Sequence, residues 1–333
     1  MEYNGEHKPI NKFLPLVSVC ILTYQHQKYI AACIEGALKQ KTSFPVEILI
    51  GEDESNDGTR EICKTYADKY PDRIRLFLRS RKDVIRINGS NTGRFNLLET
   101  TKAARGKYLA LCEGDDFWSN PLKLQQQIDF LEANSDFAVC FHSAYEMHEG
   151  KDNRISNGNL TKEVFTIEDL AKGNFLHTPT VVYRNVYKGI FPSWFNRIPV
   201  GDYPLHLLHS NHGKIKFIPE PLAHYRVQQS GAWSGLNKRE SYLKKINVLA
   251  VLQEADFNEE VKKLLADQQR KAINELLEIE LDSNWNNFAL DLKNFTEKDE
   301  ELFKIWLSNS SAPQNKNAPS TGWKNKLRNV FKR

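Results

Sequence analysis

The chain has 333 residues, enough for one large domain or two modest ones. With 40% hydrophobic and 26% charged residues it can bury a sizeable globular core, and a net charge of +4 is too small to argue for a nucleic-acid partner. No apolar run approaches the length of a membrane span, and the polar N-terminus MEYNGEHKPINK lacks the apolar region of a signal peptide. Cys20, Cys33, Cys63, Cys112 and Cys140 lie far apart, mostly in apolar stretches, which fits reduced core residues of a cytoplasmic protein better than disulfides or zinc.

Leu16 to Thr23 (LVSVCILT) is a β-rich apolar run and a first core strand. Tyr24 to Lys28 is a polar loop, and Tyr29 to Gln40 carries Ile30, Ile34, Ala37 and Leu38 at helical spacing. Val46 to Gly51 is a second buried strand; the acidic loop Glu52-Asp53-Glu54-Ser55-Asn56-Asp57-Gly58 and a helix from Thr59 to about Tyr70 follow it. Ile74 to Leu78 is a third strand, Arg79 to Gly93 a basic loop, and Phe95 to Arg105 a helix. Strands alternating with helices make a parallel sheet with right-handed crossovers.

Tyr108 to Cys112 is the next buried strand, and it ends in Glu113-Gly114-Asp115-Asp116. Crowded carboxylates repel and take up protons unless a cation shares the site. Hard oxygen ligands at the carboxyl edge of a parallel sheet suit Mg²⁺ or Mn²⁺, especially one also held by phosphates. The plainer alternative is an acidic turn capping the helix that begins near Pro121. Two acidic loops opening on the same sheet edge favour a shared site.

Three ordered motifs carry a family resemblance: Val17-Ser18-Val19 through Thr23-Tyr24, then Gly51 to Thr59 (GEDESNDGT), then Cys112 to Trp118 (CEGDDFW). In this order they resemble family 2 glycosyltransferases, inverting enzymes with the GT-A nucleotide-diphospho-sugar fold, over about residues 14 to 235. The resemblance implies an α/β architecture with a mixed, mainly parallel sheet flanked by helices. It places Thr23, Tyr24, Glu52 and Asp53 on the nucleotide, Tyr24 and Asp53 at its base. It implies Asp115 and Asp116 on a divalent metal (Mn or Mg) at the diphosphate, with Glu113 at the ribose or a metal-bound water. Glu52 and Glu113 each stand where the family usually has Asp, and both retain the charge. In the basic loop, Arg79, Arg81, Lys82, Arg86 and Arg94 could be a solvated connection, or Arg86 or Arg94 could meet the diphosphate, whose geometry a guanidinium matches.

Pro121 to Asn134 is an amphipathic helix and Phe137 to Ser143 a strand; Glu149 to Asn159 is a polar surface excursion. Thr166-Ile167-Glu168-Asp169 has capping-box chemistry before a short helix ending at Gly173, and His177 to Arg184 reads as a strand with its approach. Asp202, before an apolar helical stretch, matches the family's general base; its alternative role is an N-cap, and one residue can serve both. His206, His209 and His212 are spaced three apart, which drifts around a helix, so they are expected on the wetter flank of a packed helix rather than on zinc. His224-Tyr225-Arg226-Val227 resembles the family's closing strand, but Gln228-Gln229 follows where a histidine is usual. Trp233, in the loop from Gln228 to Gly235, is a candidate stacking surface for sugar or nucleotide.

From Lys238 the composition shifts to helix formers, with apolar rows from Leu243 to Leu277 that would pack on the catalytic domain or on a second subunit, giving a homo-oligomer. Ser308 to Thr321 is a linker by composition. Trp323, Leu327, Val330 and Phe331 then form one helical stripe amid Lys324, Lys326, Arg328, Lys332 and Arg333, a pattern suited to an anionic membrane surface or to a docked helix. The expected organisation is an arm (1–14), a GT-A catalytic domain (15–236), a helical region (237–307), a linker (308–321) and a basic amphipathic tail (322–333).

The resemblance implies an inverting, metal-dependent transferase that moves a sugar from a nucleotide-sugar donor, UDP by resemblance only, to a glycan or lipid-linked glycan acceptor. The expected location is cytoplasmic and peripheral on the inner face of the cell membrane. A nucleotidyltransferase would need a glycine-rich basic loop where Tyr24-Gln25-His26-Gln27-Lys28 stands. An inactive sugar-nucleotide-binding or scaffold protein would not need the carboxylates Asp53, Asp115, Asp116 and Asp202.

Overall fold

The computed structural model describes residues 1–4, 13–148, 150, 152–228 and 235–282. Trp233, the linker and the basic tail lie outside these described residues. The first half alternates as the periodicity predicts: β1 (Val17–Thr23), α1 (Ile30–Leu38), β2 (Val46–Glu52), α2 (Thr59–Lys69) and β3 (Ile74–Leu78). The expected basic loop instead holds a single helical turn (Arg81–Asp83) and a small hairpin, β4 (Arg86–Ile87) and β5 (Ser90–Asn91). Then come α3 (Arg94–Ala103), β6 (Tyr108–Glu113), β7 (Phe117–Trp118), α4 (Lys123–Ala133) and β8 (Phe137–His148). The chain continues through β9 (Arg154–Ile155), β10 (Val164–Phe165), α5 (Ile167–Leu170), β11 (Val182–Arg184), α6 (Asp202–Ser210) and β12 (Lys214–Val227), to α7 (Lys238–Gln253) and α8 (Glu259–Asp282).

The main sheet runs in the order β10-β12-β8-β11-β6-β1-β2-β3. β3, β2, β1 and β6 are mutually parallel, β11 runs antiparallel to β6 and β8, and β12 is parallel to β8. The sheet is therefore mixed and mainly parallel, and the loops after β1, β2 and β6 all leave its one carboxyl edge. Alternate residues feed two cores. Val17, Val19 and Ile21 of β1 pack with Ile30 and Ile34 of α1, Cys63 of α2 and Ile128 of α4 on one face. On the other face Leu97 of α3, Leu205 and Leu207 of α6, Leu249 and Leu252 of α7, and Val261 and Leu265 of α8 share a core with Leu109 and Leu111 of β6. The C-terminal helices, as far as they are described, thus pack on the catalytic body; Gln268 of α8 also donates to the Tyr203 hydroxyl at 2.9 Å. Among the described residues no helix is long and apolar enough to cross a membrane.

The histidines of α6 depart from expectation. His206 and His209 are fully buried, not on a wetter flank, and burial holds both below the usual histidine range. The ring of His209 lies 4.4 Å from that of Tyr183 on β11, so the two imidazoles behave as neutral, packed aromatic surface.

Lys123 opens α4 fully buried, with its ammonium 4.1 Å above the Trp118 ring and no hydrogen-bond partner among the described residues. Burial lowers it to about 7. In the unfolded chain the amine stays protonated to about pH 10, so the unfolded state binds the extra proton over that interval and stability rises with pH through it. Lys123→Met is therefore expected to stabilise the fold, and by more at about pH 6 than at about pH 9.5, in urea unfolding. A gain larger at the alkaline end would contradict this reading.

Candidate active site

The loops after β1 and β2 are stitched together by side chains that accept from backbone amides. Ser55 Oγ accepts from Gln25 N at 2.9 Å, Thr59 Oγ1 from His26 N at 2.8 Å, and Asp57 from Gln27 N at 3.0 Å. Gln25 (φ 57°) and Glu54 (φ 62°) occupy the left-handed region, one in each loop; such strain collects at functional sites. Thr23 is buried at the end of β1, where its carbonyl accepts from Asp53 N at 3.1 Å. Glu52 is wholly buried and braces the loop from within, accepting from Ser55 N at 2.6 Å and pairing with Arg60. Arg60 in turn donates to Arg79 O at 2.9 Å.

Asp53 and Tyr24 come together through Arg81, one of the arginines of the basic stretch after β3. Arg81 Nη1 donates to Asp53 Oδ2 at 2.6 Å while its guanidinium lies 4.2 Å above the Tyr24 ring. Burial pushes the Asp53 carboxyl up against the downward pull of Arg81, and Asp53 Oδ1 is buried with no partner among the described residues. Half-exposed Tyr24 presents a flat surface beside this acceptor, a combination suited to a nucleobase.

At the end of β6, one carboxylate oxygen each from Glu113, Asp115 and Asp116 lie within 4.8 Å of one another. Gly114 permits the loop to press on its neighbour: a Cβ there would lie 2.5 Å from Thr23 Oγ1. Asp116 is buried; its Oδ1 accepts from Arg226 N at 2.8 Å, and its Oδ2 has no partner among the described residues. Burial, and then the neighbouring Asp115, Cys112 and Glu113, push its carboxyl well up. Glu113 reaches solvent but is walled by protein; that desolvation, with Asp115 and Asp202, pushes it up to about 8. Three crowded hard-oxygen groups with an orphaned buried oxygen fit a divalent cation of the Mg²⁺ or Mn²⁺ type.

β12 closes the cluster. His224 pairs with Phe117 of β7 and stacks on its ring at 4.4 Å, and the Arg226 guanidinium lies 4.7 Å from the same ring while bonding to Asp115 O. Gln228, at the place where the resemblance leads one to expect histidine, donates from Nε2 to Asp115 Oδ2 at 2.7 Å.

Asp202 is the first residue of α6, and Gly201 rather than Asp202 occupies the cap. Its carboxylate is exposed, and its charge acts on Glu113 of β6 and on Tyr225 of β12, so it belongs to the same cleft as the cluster. Arg86 and Arg94, one of which was a candidate for the diphosphate, stand in different surroundings. Arg86 is exposed in the hairpin and donates to Asn91 Oδ1 at 3.1 Å. Arg94 is buried beneath the approach to α6, donating to the carbonyls of Ile198 and Val200. Arg81, Arg226 and Gln228 were missed because their roles depend on which strands lie side by side; only the cluster of basic residues at 79–94 was visible along the chain.

A mixed sheet with acidic loops at its carboxyl edge and a helix-borne aspartate opposite is the GT-A arrangement of nucleotide-diphospho-sugar transferases. A crystal structure of Staphylococcus aureus TarS residues 1–349 in complex with UDP is similar in fold, with a TM-score of 0.51 and 18% identity over 85% of this chain and 76% of that one. The family described as glycosyl transferase family 2 matches residues 18–195, more than half the chain, and the chain belongs to it. An uncharacterized protein of Mycobacterium tuberculosis is 35% identical over 224 residues, 65% of this chain and 60% of its own length. An uncharacterized glycosyltransferase of Nostoc sp. is 30% identical over 224 residues, 63% of this chain and 64% of that protein. The matched region thus spans less than two thirds of either relative.

The bracing role of Glu52 gives a stability prediction. Arg60→Ala strands a buried carboxylate, so a loss of about 3 kcal/mol is expected, at the low end of the range for a broken buried pair because Arg60 is partly exposed. Denaturant unfolding measures it, and a loss under about 1 kcal/mol would show that Glu52 is satisfied without Arg60.

Proposed function

We propose that this chain is an inverting, metal-dependent glycosyltransferase that moves a sugar from a nucleotide diphosphate to a hydroxyl of a glycan or lipid-linked glycan. The observation that carries the proposal is the convergence of Asp53, Glu113, Asp115, Asp116 and Asp202 on one sheet edge from separate elements. UDP is the proposed nucleotide, supported by the UDP and UDP-GlcNAc complexes of the structurally similar TarS.

In this reading Tyr24 stacks on the base while Asp53, oriented by Arg81, accepts its hydrogen bonds. Asp115 and Asp116 would hold the divalent metal, with Glu113 beside them. When bound, the metal supplies charge neutralisation to the departing diphosphate. Arg226 and Gln228 fix the loop so that its carboxylates need not reorganise as that charge develops. Asp202 accepts the proton of the acceptor hydroxyl, whose oxygen bonds to the anomeric carbon as the bond to the diphosphate breaks on the opposite face. A single displacement inverts that centre.

The cytoplasmic-face membrane location is likewise a proposal, resting on sequence outside the described residues. The basic tail with Trp323, Leu327, Val330 and Phe331 in one stripe would lie in an anionic surface, each cation adding about 1 kcal/mol. Truncation after Thr321 is then expected to abolish salt-sensitive sedimentation with anionic liposomes; unchanged sedimentation would remove the membrane from the proposal.

The test of the base is a split between chemistry and binding. Asp202→Asn is expected to lower the transfer rate by roughly 10²–10⁴-fold and to leave UDP affinity within a few-fold. An equal loss of UDP affinity would make Asp202 a structural residue of the donor site.

A further inference from the structure

Arg94 is the first residue of α3 and only 3% exposed. Its Nη2 donates to Ile198 O at 2.8 Å and Val200 O at 2.7 Å, and its guanidinium lies 3.8 Å from the Phe195 ring centre. Its Nε and Nη1 are buried without a partner among the described residues. A Cβ built on Gly201 would stand 3.7 Å from Nη1, so that nitrogen lies against the residue that immediately precedes Asp202. Two residues along α3, Asn96 Nδ2 donates to Gly51 O at 2.7 Å, just ahead of Glu52 and Asp53. The first turn of α3 therefore grips the end of β2, where the loop bearing Asp53 begins, with one side chain and the approach to Asp202 with another.

A guanidinium taken out of water with donors unbonded is unfavourable, and two neutral carbonyls offset only part of that cost. Burial lowers Arg94 to about 10, and the opposing pull comes from the charge of Asp202. The other ionisable groups acting around Asp202 are Glu113 from β6, Tyr225 from β12, Tyr183 from β11, His177, His206 on its own helix and Lys244 on α7. Burial disfavours the charged forms of both tyrosines and both histidines. Among the described residues that leaves Arg94 and Lys244 as the cations, Arg94 fixed in the core by its bonds to two carbonyls and Lys244 partly buried on α7.

We propose that Arg94 is the positioning residue of the Asp202 base: it pins residues 198–201 and sets a fixed positive charge against the backbone that leads into Asp202, instead of meeting the donor diphosphate. The inference rests on the reading of Asp202 as the base. The same helical turn ties the base to the end of β2, so the two halves of the cleft keep their spacing.

The test reads the environment of position 202 without needing a donor or acceptor. The native cysteines are all buried, so in Asp202→Cys the introduced thiol is the one open to iodoacetamide. A fixed cation favours the thiolate. Adding Arg94→Gln is expected to slow labelling at least threefold near neutral pH and to displace the rate profile to higher pH, with calorimetric affinity for UDP plus Mn²⁺ within twofold. Unchanged or faster labelling, or a loss of UDP affinity with labelling intact, would overturn the proposal and return Arg94 to the donor. Should Arg94→Gln fail to fold, Arg94→Lys serves: it keeps the charge but lacks the fork that spans two carbonyls. Hydrogen exchange of the peptide across 193–203 should then rise severalfold while that of 52–59 stays unchanged, and unchanged exchange in both peptides overturns the proposal. If instead Asp202→Asn retained transfer, the base reading would fall while these labelling and exchange results stood.

Discussion

Mutual repulsion among carboxylates at the end of β6 is the constraint to which the rest of the cleft answers. Glu113, Asp115 and Asp116 are too close to one another to be comfortable as three bare anions, and Asp116 is buried besides. Protonation or a cation that shares the site relieves such crowding. Amide donors at the end of β12 and just beyond it take up part of the charge, Arg226 N at the Asp116 carboxylate and Gln228 Nε2 at that of Asp115, while the Arg226 guanidinium bonds to the Asp115 backbone carbonyl. One oxygen of Asp116 is left over, and no described side chain reaches it. The fold has arranged an acceptor-rich pocket and stopped short of neutralising it.

The remaining architecture follows from keeping that pocket in register with its neighbours. Parallel pairing of β1 with β2 and β6 brings Thr23, Glu52 and Glu113 to one edge, since Thr23 pairs with Glu52 and Leu22 with Glu113. The short β7–β12 pairing then folds the chain back over the acidic loop, so a late strand some hundred residues away in sequence completes an early site. Three buried carboxylates at the edge have a specific brace: Arg60 for Glu52, Arg81 for Asp53, and the Arg226 amide for Asp116. Arg86, by contrast, stands at the surface, where solvent screens its charge.

Elements with a strong period were legible along the chain. β3 and α2 begin where the apolar pattern begins, and β1 and β2 differ from expectation only at their last or first residue. The family resemblance likewise led directly to the carboxylates, because the two acidic motifs at strand ends are local features. What was not legible depended on contacts distant in sequence. β7 has two residues and exists because β12 lies beside it; the hairpin β4–β5 is too short to show alternation. The charge-rich stretch from 79 to 94 gave no sign that Arg81 would reach Asp53 while Arg94 turned inward under Val200. The histidines of α6 misled for a similar reason: polar residues read as wet, yet packing against Tyr183 buries His206 and His209 completely.

The dependence of nucleotide binding on a divalent cation probes the crowded edge most directly. Calorimetric titration of UDP into the full chain should show saturable binding with Mn²⁺ present and a loss of at least tenfold in affinity when a chelator replaces it. Asp115→Asn should reproduce the chelated result with the metal still in solution. Equal UDP affinity with and without the cation would mean that the carboxylates at the end of β6 serve some purpose other than holding a metal on the diphosphate.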